Sequence, residues 1–183
     1  TETNARVISS VEETSKYKFI PEKDIFDVEY WSLEQAKIKK ETKELAGNVV
    51  VITGAFGKIG TATYKLFKKY GAEVVLIDNN RKKVTEMSKK INDLCIYCDV
   101  TNKESVKKAF NLISSKFGGI DILISNAGTA LGGPIAEVDD KILRKSFEDN
   151  FFSHQNCAAE ATKIMKAQNI DGCLLFNISK QSV

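Results

Sequence analysis

From Val49 onward, apolar and polar positions along the 183 residues follow two alternating rhythms. Short runs that are apolar throughout read as strands buried on both faces. Stretches with an apolar residue every third or fourth position read as amphipathic helices. Val49-Val50-Val51-Ile52, with Thr53, predicts a first strand over 49–53. The helix after it carries Ile59, Ala62, Leu66 and Tyr70 and stops at Gly71, a residue suited to the left-handed turn that ends helices. A second strand over 73–77 runs into Asp78. A polar helix over about 82–91 leads to a third strand over 94–98. Thr101 is expected to cap a helix bearing Val106, Phe110, Ile113 and Phe117. A fourth strand over 120–124 ends in Ser125-Asn126-Ala127-Gly128. After a loop with Pro134, one long helix over about 139–167 precedes a fifth strand over 172–178.

Five such strands joined by helical crossovers predict an α/β fold: a doubly wound parallel sheet of Rossmann type, truncated after its fifth strand. In sheets of this kind ligands gather beyond the carboxyl ends of the strands, near the switch point. Asp78, Asp99, Asn126 and Ser179 all fall just past those ends. Residues 48–183 therefore read as an incomplete dinucleotide-binding domain. Residues 1–47 differ: they are charged, with aromatic residues at Phe19, Phe26, Tyr30 and Trp31. Ser32-Leu33-Glu34-Gln35 has the form of a capping box opening a helix over about 33–45. This stretch is either a linker that folds onto the domain or the seam to a neighbouring one.

Composition narrows the partners. A net charge of +3, with lysines and acids interleaved along the helices, describes solvated surface and not a nucleic-acid footprint. No apolar run approaches the ~20 residues that span a bilayer, and the polar start lacks a signal-peptide core, so a cytoplasmic protein is expected. Cys95 and Cys98 have the spacing of a metal or redox pair, but residues three apart on a strand point to opposite faces. With no second Cys or His pair to complete a site, they read as core residues and no metal is expected. The single histidine, His154, reads as a helix-surface or interface residue.

The candidate chemistry begins at Thr53-Gly54-Ala55-Phe56-Gly57-Lys58-Ile59-Gly60. A strand, a glycine turn and a helix aim several backbone amides, and the positive end of the helix dipole, at one spot suited to a pyrophosphate. Asp78 stands 18 residues past Gly60, at the end of the next strand, where a carboxylate can accept from both ribose hydroxyls of an adenosine. It would repel a 2′-phosphate, so NAD is expected in preference to NADP, with Arg81 as a partial compensation.

With these motifs in order, residues 46–183 resemble the short-chain dehydrogenase/reductase superfamily. The resemblance implies cofactor contacts from Gly54, Phe56, Gly57, Lys58, Ile59 and Gly60 of the turn, and from Asp78 and Asn79. It adds Asp99 and Val100 beside the adenine, and Asn126, Ala127 and Gly128 of the Asn-Ala-Gly motif. Asn150 matches the asparagine of the long helix, which fixes that helix and anchors a water in a proton relay. Ser179 matches the serine that binds the substrate oxygen. Two departures stand out. The usual short-chain turn has a glycine at position 58, where this chain has a lysine. Its ammonium either supplements the helix dipole at the pyrophosphate or faces solvent. The family's proton-donating tyrosine and its lysine lie C-terminal to the serine, beyond Val183, so the sequence is expected to be a fragment.

A narrower resemblance comes from Phe26-Asp27-Val28-Glu29-Tyr30-Trp31-Ser32-Leu33-Glu34-Gln35-Ala36-Lys37 and from Phe176-Asn177-Ile178-Ser179-Lys180-Gln181. Both look like bifunctional proteins that join a class II aldolase of the rhamnulose-phosphate type to a short-chain dehydrogenase. The implied activity is hydride transfer between nicotinamide and a small alcohol or carbonyl: a hydroxyaldehyde, polyol or sugar derivative. The implied assembly is a homodimer or homotetramer, with the long helix in the dimer seam and an aldolase domain upstream. Two other readings remain open: a dinucleotide-binding or interaction module without turnover, should the chain naturally end at Val183, and an extended-branch epimerase or dehydratase, suggested by the spacing of Gly54, Gly57 and Gly60.

Overall fold

The structure, a computed structural model, describes Pro21, Asp24 and residues 43–134 and 136–178. The chain divides into two compact units, residues 1–42 and 43–183, and the sheet with its helices belongs entirely to the second. The Ser32–Gln35 cap, the aromatic cluster and the helix expected from residue 33 lie outside the described residues. Residues 44–47 form a turn, so that helix does not reach Leu45.

Five parallel strands make one sheet: β1 (Val49–Thr53), β2 (Glu73–Asp78), β3 (Leu94–Tyr97), β4 (Ile122–Ser125) and β5 (Cys173–Phe176), in the spatial order β3-β2-β1-β4-β5. The chain runs outward from β1 through β2 to β3, then returns to the other side of β1 for β4. The switch point therefore lies between the carboxyl ends of β1 and β4. Each apolar run alternates between two cores. Val50, Ile52, Val74 and Leu76 face one cluster, covered by α1 (Lys58–Lys69) through Tyr64 and Phe67, while α2 (Arg81–Ser88) buries Val84. Val51, Val75, Ile77 and Leu123 face the other cluster. There α3 (Lys103–Phe117) contributes Val106, Phe110 and Ile113, and α5 (Ser153–Gln168) contributes Cys157, Ala161 and Met165. Burying side chains of this size stabilises by about 1.5–3 kcal/mol each.

Several boundaries differ from the sequence reading, each for a local reason. Asn102, not Thr101, caps α3: its Oδ1 accepts from the Ser105 N–H at 3.0 Å, while the Thr101 hydroxyl donates to Asp99 Oδ1 at 2.7 Å. The fourth strand begins at Ile122, because Asp121 uses its carboxylate to accept from the Val49 N–H at 2.7 Å. The long helix is interrupted. α4 (Asp140–Phe147) passes into a π-helical turn at Glu148–Phe152 before α5, so the chain widens by one residue around Asn150. Cys95 packs against one core cluster and Cys98 lies in the other, on opposite sheet faces as alternation requires. Burial raises the pKa of both thiols. No helix among the described residues is long and apolar enough to cross a membrane.

Candidate functional site

The switch-point crevice is built first by backbone. Gly54 sits at φ +60°, and a β-carbon there would lie 2.9 Å from the Ala127 Cα. Gly60 is tighter still, since a β-carbon would lie 2.7 Å from the Ala55 Cα and press on the Gly54 carbonyl. Both positions need glycine so that helix, turn and neighbouring loop can close on one another. Gly57 has extended backbone and no such crowding; it is the N-cap residue of α1 and supplies no side-chain cap. By contrast, α2, α3 and α4 are each capped by a side chain, from Asn80, Asn102 and Asp139. The N-terminus of α1, opened by Lys58 and Ile59, thus presents amides and the positive end of its dipole to the crevice. Lys58 and Ile59 are both exposed there.

Asp78 completes that side. Its Oδ2 accepts from the Phe56 N–H of the turn at 3.0 Å, and its Oδ1 accepts from the Asn80 N–H at 2.9 Å. Each oxygen keeps lone-pair capacity for a further donor. Asn79 beside it is exposed. The polar groups suit a dinucleotide: amides that donate to an anion and a fixed carboxylate that accepts from a diol.

Across the crevice the loops are held by side chains. Thr53 Oγ1 accepts from the Asn126 N–H at 2.9 Å and the Ala127 N–H at 3.0 Å. The Asn126 amide donates to the Thr53 and Gly54 carbonyls at 3.1 and 3.3 Å, and its Oδ1 accepts from Asn177 Nδ2 at 2.7 Å. This side chain ties β4 to the glycine turn and to the end of β5. Asp99 Oδ1 accepts from the Thr101 N–H and hydroxyl, shaping the loop after β3. Val100 is buried, and its carbonyl accepts from Asn156 Nδ2 at 3.1 Å.

The π turn aims Asn150 at the loop after β4. Its Oδ1 accepts from the Thr129 N–H and its Nδ2 donates to the Thr129 carbonyl, both at 2.9 Å, as a neighbouring strand would. Gly128 makes room, because a β-carbon there would stand 2.8 Å from Asn150 Oδ1. Ser179 lies outside the described residues. The turn, Asp78 and Asn126–Gly128 meet at the crevice, with Asn150 on its β4 side; Asp99 and Val100 flank it beyond β3.

One reading is corrected. His154 is not on the helix surface: it is buried against the sheet, and its Nδ1 shares a hydrogen bond of 2.6 Å with Ser125 Oγ. Its ring meets Phe176 edge-on, with centroids 5.9 Å apart. Burial lowers its pKa and favours the neutral ring. A lone histidine in a mixed helical stretch carries no sequence signal of which face it occupies. Thr53, Asn156 and Asn177 also went unread. Thr53 alone had a cue, as a hydroxyl immediately ahead of the glycine turn.

Comparison with known proteins supplies the family and agrees with the fold. The family model for short chain dehydrogenase matches residues 48–182, and that for the second domain of class II aldolases matches residues 1–38. The chain is 34% identical over 171 residues to the "Uncharacterized oxidoreductase YuxG" of Bacillus subtilis (strain 168), covering 88% of this chain and 25% of that protein. Among solved structures, an NAD+-bound xylitol dehydrogenase superposes with a TM-score of 0.69 at 26% identity, over 75% of this chain and 55% of that one. An NADPH-dependent 3-quinuclidinone reductase from Rhodotorula rubra gives 0.65 at 28%, over 75% and 54%. The chain thus spans a quarter to about half of the proteins it matches.

Proposed function

The chain belongs to the short-chain dehydrogenase family, and on that footing we propose that the whole protein is an NAD-dependent oxidoreductase acting on a small alcohol or carbonyl compound. The observation that carries the proposal is the meeting of an uncapped helix N-terminus with a carboxylate anchored on its own turn, Asp78 on the Phe56 N–H. The nicotinamide group supplies or accepts the hydride when bound. The amides opening α1 hold the pyrophosphate, with Gly54, Phe56, Gly57 and Gly60 shaping the turn and the Lys58 ammonium adding to the dipole. Asp78 and Asn79 border the ribose, Asp99 and Val100 the adenine, and Asn126, Ala127 and Gly128 the nicotinamide side. Asn150 fixes the loop at Thr129 and anchors a water for proton transfer. Ser179 donates to the substrate oxygen and holds it in register for the reaction.

The match of residues 1–38 to a class II aldolase domain supports a fusion in which aldol chemistry and dehydrogenation share one polypeptide. A small hydroxyaldehyde is then the favoured substrate class, ahead of polyols and sugar phosphates. The exposed stripe Leu143, Phe147 and Phe151, spaced four residues apart, supports a homodimer or homotetramer. Calorimetry of the complete polypeptide with NAD, and turnover on a panel of hydroxyaldehydes, polyols and sugar phosphates, tests the reading. Uptake of neither nicotinamide nucleotide would end it.

A further inference from the structure

One close pairing at the carboxyl edge of the sheet has no part in the chemistry above. Arg81 Cζ lies 4.1 Å from the centre of the Tyr97 ring. Tyr97 ends β3 and stands beside Asp78 in the sheet register, and Arg81 opens α2 three residues after that aspartate. Guanidinium, ring and carboxylate therefore share one corner. A guanidinium near a carboxylate ordinarily forms a forked pair with it. Here none of the ion pairs among the described residues involves Asp78. The carboxylate accepts instead from two backbone N–H groups, while the cation lies over a ring that is 41% exposed. Lys83, the next cation at this corner, lies 3.4 Å from the Phe56 carbonyl and donates to it.

We propose that Tyr97 is a specificity-determining residue: by stacking the Arg81 guanidinium it holds that cation off Asp78 and keeps the carboxylate uncompensated. The inference rests on the reading of Asp78 as the ribose acceptor. An uncompensated carboxylate accepts strongly from a 2′-hydroxyl and repels a 2′-phosphate. Pairing it with a guanidinium weakens both effects. The aromatic ring therefore sets coenzyme choice without touching the coenzyme's distinguishing group.

The test measures dissociation constants for NAD and NADP by calorimetry on the complete polypeptide and four variants. Tyr97→Ala is expected to narrow the NAD-over-NADP preference by about two- to fivefold, the scale of an exposed cation–π contact. Tyr97→Phe keeps the ring face and leaves the preference as it is. Adding Arg81→Ala to Tyr97→Ala removes the released cation and restores the wild-type ratio. Asp78→Asn separates the layers of the inference. If it narrows the preference while Tyr97→Ala leaves it unchanged, the role of Tyr97 is overturned and the ribose reading stands. If Asp78→Asn also leaves the preference unchanged, the ribose reading fails and the proposal goes with it. The partly exposed position of Tyr97 makes both of its substitutions compatible with folding, which thermal unfolding of each variant verifies.

Discussion

β1 and β5 are both short parallel strands rich in apolar residues, yet all five residues of β1 are buried while Cys173, Leu175 and Phe176 of β5 are exposed. The difference lies in their neighbours. Among the described residues, β1 has a strand on each edge and a core cluster on each face, whereas β5 pairs with β4 alone. An apolar run thus encodes a strand, but its burial is supplied by what packs around it. The same division crosses the crevice. On the β1 side, position is set by backbone against backbone at Gly54 and Gly60. On the β4–β5 side it is set by hydrogen bonds to side chains: those of Asn126, Asn150 and Asn177, and the Thr53 hydroxyl of β1, which accepts from the Asn126 and Ala127 N–H groups.

Substitutions can break this contrast or sharpen it. The largest effect is expected at the centre of β1: Ile52→Ala empties a fully buried position and should cost about 2–5 kcal/mol in denaturant unfolding. Next, Gly60→Ala drives a methyl group into backbone that cannot yield. It should cost about 1–3 kcal/mol and weaken nucleotide binding in calorimetry while circular dichroism keeps its helical signal. Thr53→Val retains shape but leaves the Asn126 and Ala127 N–H groups without their acceptor, at about 1–3 kcal/mol in the same unfolding experiment.

His154 gives a smaller, pH-dependent effect. Its native pKa lies below the ordinary 6.5 because burial disfavours the charged ring. Below pH 6.5 the unfolded chain therefore takes up that proton more readily, and stability falls as pH drops from there through the native value. His154→Gln should flatten that fall of stability below about pH 6.5 and leave the slope above it unchanged. The smallest effect belongs to the other strand. Leu175→Ala, at 48% exposure, should stay within about 0.5 kcal/mol of the parent when measured on this chain.

What the sequence made legible follows the same line. Continuous apolar runs announced the parallel sheet because both faces of each inner strand are buried, and glycine, acid and helix in order located the crevice. Strand ends shifted by one or two residues, since hydrogen-bond register, not hydropathy, decides where pairing stops. Thr101 and Asn102 can both cap a helix, and only the loop around Asp99 decides between them. The π turn was invisible because its residues keep a helical pattern on either side. The burial of His154 depended on that turn, and it too went unread.

The interruption at Glu148–Phe152 also bears on how this helix tolerates changes in length. Each residue of an α-helix advances the azimuth by about 100°, so one surplus residue resets the phase of everything downstream. Upstream, Leu143 and Phe147 point to solvent; downstream, His154, Cys157, Ala161 and Met165 point to the sheet. Deleting a single residue inside the wide turn would let it relax to ordinary pitch with little backbone disturbance. The same deletion would swing the Asn150 amide away from Thr129 and unlatch the loop that follows β4. The extra residue is thus an indexing device, cheap to lose as architecture and costly to lose as alignment.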